Sequence, residues 1–223
     1  MLRKYLAEFL GTCTLVAVIV GSGTMATQMS ADRGVDLLIN TISTVFALGI
    51  LILIFSSISG AHFNPVVSLS EWVQKRLSSR LLLGFLIAQF AGGIAGAVLA
   101  NLMFKNPAYF PSHHVRSGSN LLLGEVVATA GLLFLIQALR KQNKEPLAPV
   151  VIALWIGSAY FFTSSTSFAN PAVTFARALT DTFSGIAMSS VAMFMVAQLI
   201  GALLGSFLGN YFHNTNKEKK PHD

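Results

Sequence analysis

Six stretches of the chain, roughly residues 5–28, 36–58, 81–104, 119–140, 147–165 and 185–212, are mostly apolar over the ~20 residues that a helix needs to cross a bilayer. In lipid a backbone must satisfy its own hydrogen bonds, so such stretches can only be helices. The chain is thereby confined to an all-α membrane fold. Its 53% hydrophobic and 11% charged residues contrast with about 25% charged in a soluble domain. A net charge of +6 would suggest nucleic acid in a soluble protein. Here the basic residues fall between apolar stretches, the pattern of cytoplasmic loops, and no nucleic-acid partner is expected. The single cysteine, Cys13, lies in an apolar stretch and reads as a small buried residue; it can form no internal disulfide or cysteine-rich metal site. The N-terminus resembles a signal peptide, but Glu8 interrupts it and more spans follow, so it reads as an uncleaved first span.

Two shorter apolar pieces remain, residues 65–73 and 171–179, each beginning at an Asn-Pro. As helices of about nine residues they reach about 14 Å, half the hydrocarbon core. Eleven of the 15 Lys and Arg lie before span 1, in the 2–3 and 4–5 loops or after span 6. The positive-inside rule then puts both termini in the cytoplasm.

The two halves, approximately 1–110 and 117–213, repeat one another, followed by a tail at 214–223. "AEFLGTCTL" matches "GEVVATAGL", "SGAHFNPVVSL" matches "STSFANPAVTF", and "AQFAGGIAGAVL" matches "AQLIGALLGSFL". Asn64 precedes Gln89 by 25 residues and Asn170 precedes Gln198 by 28. Each half carries an odd number of spans, so the second enters the membrane inverted, as in many transport proteins. The whole chain reads as one transmembrane channel domain.

Inversion brings the two short pieces in from opposite sides, so that their Asn-Pro ends meet at mid-membrane. Proline suits the first helical position, and asparagine suits the N-cap, leaving its amide NH2 to donate inward. Two helix N-termini there repel cations and protons on a water chain, and favour a neutral acceptor of hydrogen bonds. The extended segments before each Asn-Pro, with Gly60, Ala61, His62 and Ser165, Thr166, are expected to line a wet path with their carbonyls. Glu8 and Glu125, costly in a bilayer, are expected to support those segments rather than couple protons. Gly92, Gly93, Gly96, Gly201 and Gly205 mark close helix packing. His113 and His114 read as a solvated loop pair without an accompanying carboxylate, and no metal or cofactor is expected. On the residues alone, an ion- or proton-coupled transporter remains the alternative to a passive channel. No constellation for catalysis stands in the spans.

The paired motifs, the two Glu and the two "AQ…G…G" spans resemble the aquaporin family (major intrinsic proteins) from Glu8 to about Phe212. The midplane residues of that family map to Asn64, Pro65, Val66 and Asn170, Pro171, Ala172; Val66 departs from the usual alanine. The resemblance implies a right-handed bundle of six helices and two half-helices, one pore per subunit and a homotetramer in the cytoplasmic membrane. It also implies a selectivity filter, here Thr44, Ser158, Ser167 and Val173. Valine stands where the family usually has arginine, so the filter is expected to be wide and without its fixed charge. Arg177, one turn beyond Val173, either reaches back over the mouth or pairs with Asp181. Similar wide filters occur in bacterial relatives linked to arsenic handling. The expected cargo is water with glycerol-like polyols, neutral metalloid compounds such as arsenite or methylated arsenicals, or both.

Overall fold

The computed structural model of the chain describes residues 1–213; the proposed tail at 214–223 lies outside them. Eight α-helices occur among the described residues: α1 (Leu2–Met29), α2 (Arg33–Ser59), α3 (Pro65–Val73), α4 (Ser79–Met103), α5 (Ser119–Lys141), α6 (Ala148–Phe162), α7 (Pro171–Arg177) and α8 (Met188–Phe212). Six are long and apolar enough to cross a membrane, α6 together with the 3-10 turn at Glu145–Leu147 that precedes it. The two short ones are α3 and α7, and α7 stops at Arg177, two residues before the expected end.

Local chemistry sets the boundaries. Asp32 caps α2 by accepting from the N–H groups of Gly34 and Val35. Gly60 ends α2 in a left-handed conformation with φ 93°, which glycine adopts without strain. Asn64 and Asn170 cap α3 and α7, with proline at the first helical position of each.

Packing follows the repeat. An added Cβ at Gly92 or Gly96 of α4 would stand 2.4 Å from Phe9 O or 2.2 Å from Cys13 O of α1. Gly201 and Gly205 of α8 meet Val126 O and Ala130 O of α5 at 2.5 and 2.0 Å in the same sense. The backbones therefore touch, and only small residues permit it. Gly205→Leu is expected to force α5 from α8 at a cost of about 1–3 kcal/mol or more. Thermal unfolding in detergent checks this: the midpoint should fall, and an unchanged midpoint would contradict the contact.

Candidate functional site

The two half-helices meet tip to tip. Asn64 Nδ2 donates to Ala169 O at 2.8 Å and Asn170 Nδ2 donates to Phe63 O at 2.8 Å. Each side-chain oxygen caps its own helix: Asn64 Oδ1 accepts from Val66 N–H, and Asn170 Oδ1 from Ala172 and Val173 N–H. An amide NH2 carries two donors, so one N–H on each remains after the cross-bond. Both asparagines line a central cavity of about 240 Å³.

The loops ahead of the asparagines are held from behind. Glu8 accepts from the N–H of His62 (3.0 Å) and Phe63 (2.7 Å), Ser59 Oγ (2.6 Å) and Gln89 Nε2 (2.8 Å). Glu125 accepts from the N–H of Phe168 (2.9 Å) and Ala169 (2.9 Å) and from Gln198 Nε2 (2.6 Å). Gln89 also donates to Ser68 Oγ, and Gln198 to Thr174 Oγ1, tying each glutamate to the first turn of a half-helix. In a trans peptide the N–H and the preceding C=O point opposite ways. With the N–H groups turned onto the glutamates, the carbonyls of Ala61, His62, Ser167 and Phe168 face away from them. Among the described residues no protein donor reaches these carbonyls, and their residues line the cavity. The turn requires left-handed backbone at Ala61 (φ 51°), Phe63 (49°), Ser167 (51°) and Ala169 (45°). Each costs on the order of 1 kcal/mol, which the buried carboxylates offset.

The facing wall is apolar. It is built from Leu48 and Ile52 of α2, Ile152 and Ile156 of α6, and Leu15 and Ile19 of α1. The cavity runs past the asparagines between two charged ends, Arg177 at one and Glu71, Arg140 and Glu145 at the other. A path with acceptors on one side and hydrocarbon on the other suits small amphipathic, uncharged solutes.

Thr44, Ser167 and Val173 line the cavity, and the Ser167 hydroxyl has no partner in the protein. Ser158 does not line it: its side of α6 is exposed. The inward stripe of α6 is Ala148, Ile152, Ile156 and Tyr160, and Tyr160 donates its hydroxyl toward Thr44 Oγ1 at 3.4 Å. Gly60, Ala61 and His62 line the cavity, and Ser165 and Thr166 do not. Ser165 is buried and caps Ser167 N–H, so the lining starts at Ser167. Pro65, Val66, Pro171 and Ala172 are buried but do not line the cavity.

Arg177 does not pair with Asp181. It is buried, donates from Nε to Ser184 O, and its guanidinium lies 3.4 Å from the centre of the Phe168 ring. Arg116 approaches the same ring at 5.1 Å. No carboxylate pairs with Arg177 among the described residues, so this mouth carries a positive charge. Asp181 instead holds the outer loop: it accepts from His113 N–H at 3.0 Å and meets His113 Nδ1 at 2.9 Å. The histidine pair thus has a carboxylate after all. The His113 backbone and side-chain hydrogen bonds hold the Asp181 carboxyl below its ordinary 3.8. Its contribution is therefore complete above about pH 3.8 and is lost as pH falls through the lower folded value. Relative to the intrinsic exchange rate at each pH, the amides of Phe110, Ser112 and His113 are expected to lose protection on acidification past that value, and Asp181→Asn should show weak protection already at neutral pH. Equal exchange in both proteins at neutral pH would contradict the strap.

The model of the major intrinsic protein family matches residues 1–169 and 163–222. The chain belongs to the major intrinsic protein family. Aquaglyceroporin AqpS of Rhizobium meliloti is 47% identical over 90% of this chain and 86% of its own length. The propanediol uptake facilitator PduF of Salmonella typhimurium is 30% identical over 94% and 93%. The fold resembles the aquaglyceroporin of Plasmodium falciparum, with a TM-score of 0.74 at 18% identity and 96% coverage of both chains. This member is a multi-pass membrane protein, a passive channel for small uncharged solutes and not an enzyme.

Tyr160, Gln89, Gln198 and the Glu71–Arg140 end were missed as site residues from sequence. The spacing of four along α6 from Ile152 through Ile156 was the available signal for Tyr160.

Proposed function

We propose that this channel passes glycerol-like polyols together with water, and neutral metalloid compounds such as arsenite, as As(OH)3, or methylated arsenicals. The supporting observation is Val173 lining the path where the family resemblance leads one to expect arginine, beside the unpartnered hydroxyl of Ser167. The filter is Thr44, Tyr160, Ser167 and Val173, with Tyr160 rather than Ser158 on the inward face of α6. Arg177 lies on the Phe168 ring, lines the cavity and supplies the charge of this mouth. Asn64 and Asn170 orient the solute at the centre, and the carbonyls of Ala61, His62, Ser167 and Phe168 replace its water. The N-termini of α3 and α7 add positive potential that disfavours cations. An aquaglyceroporin and a propanediol facilitator among the relatives support short polyols as cargo.

The assembly we propose is a homotetramer in the cytoplasmic membrane, with both termini and the Arg140 mouth inside and the repeats 1–110 and 117–213 inverted. Uptake of arsenite and of a methylated arsenical into vesicles containing purified protein tests the cargo. Uptake above that of empty vesicles is expected; uptake equal to empty vesicles, with fast water flow, would leave a water pore without the metalloid role.

A further inference from the structure

We propose that Arg140 is a specificity-determining residue of the pore at the mouth opposite Arg177, and that Glu71 sets its position. Glu71 lies within α3, is only 4% exposed, and lines the cavity. Two guanidinium groups share its carboxylate. Arg76 is bidentate, with Nε to Oε2 at 3.0 Å and Nη2 to Oε1 at 3.2 Å. Arg76 also donates to Gln137 Oε1 at 2.7 Å and Gln74 Oε1 at 2.6 Å, so it stays in place without Glu71. Arg140, in the last turn of α5, donates from Nη1 to Glu71 Oε2 and has no other side-chain hydrogen bond among the described residues. Arg140 lines the cavity and Arg76 does not.

The detachable member of the cluster is therefore the one that faces the solute. Two cations share the Glu71 carboxylate, and Glu145 lines the same mouth, so the charges there balance. Parked on Glu71, the Arg140 guanidinium lies against the wall formed by α3. Glu145 is the other carboxylate lining this mouth; it is exposed and has no ion pair among the described residues. Released from Glu71, Arg140 finds its next partner in the opening itself, and the guanidinium then obstructs neutral solutes.

This inference rests on the cavity being the conducting path, and not on the choice of cargo. Water and glycerol permeability are measured in vesicles for the wild type, Glu71→Gln, Arg140→Gln and the double variant. Water in the wild type shows separately whether the path conducts when glycerol does not. Glu71→Gln is expected to lower permeability about fivefold, and adding Arg140→Gln to restore it, the non-additivity of groups in contact. Unchanged flux in Glu71→Gln, or a double variant as slow as the single one, would overturn the proposal; so would a loss of flux that only follows a loss of thermal midpoint, since removing the partner of a buried charge can also restore stability. Should Glu71→Gln fail to fold, Arg140→Ala decides. It should raise the flux of ribitol relative to glycerol, and an unchanged ratio would overturn the proposal.

Discussion

Val173→Arg lowers glycerol permeability by about tenfold or more while water continues to pass, the change that about 1.4 kcal/mol of added barrier produces. Val173 is 3% exposed and lines the path with Thr44 and Ser167. An arginine there would fill the bore at its small-residue level. It would also stand one helical turn from Arg177, which lacks a carboxylate partner among the described residues, so the new charge would be pushed toward the lumen. A three-carbon polyol needs the full width, and a single file of water does not. Stopped-flow light scattering on vesicles reads both; glycerol flux unchanged in the variant would contradict the placing of Val173 in the filter.

Glu8→Ala is expected to remove most folded protein. The substitution strands four donors, the N–H groups of His62 and Phe63, the Ser59 hydroxyl and the Gln89 amide. Each buried donor left unpaired costs about 1–3 kcal/mol, against a net stability of about 5–15 kcal/mol for a typical protein. Glu8→Gln keeps one acceptor oxygen and should lose less. Yield of monodisperse protein and thermal midpoint in detergent order the series: wild type above Gln, Gln above Ala. A normal midpoint for Glu8→Ala would show that the loop before Asn64 does not depend on this carboxylate.

The six spans and two half-helices were legible because lipid allows few backbone solutions and because Asn-Pro is a strong helix start. The role of the glutamates was legible because an acidic residue at matched repeat positions needs donors, and the irregular segments have them to give. Ser158 was misplaced for a geometric reason. A helix turns about 100° per residue, so the two-residue offset from Tyr160 rotates a side chain to nearly the opposite face. The Arg177–Asp181 pair assumed a helix continuing past Arg177, but α7 stops there and the i, i+4 relation is lost. Nothing local announces Glu71 and Arg140, which are 69 residues apart and meet only because α3 folds back beside the end of α5.

The most direct test of a passive pore between Asn64 and Asn170 is glycerol flux into vesicles loaded with a pH-sensitive dye, with and without an imposed proton gradient. The structure predicts glycerol entry well above empty vesicles, linear in concentration, indifferent to the gradient and without change in internal pH. Entry that saturates, follows the gradient or carries protons would contradict it and favour a coupled transporter.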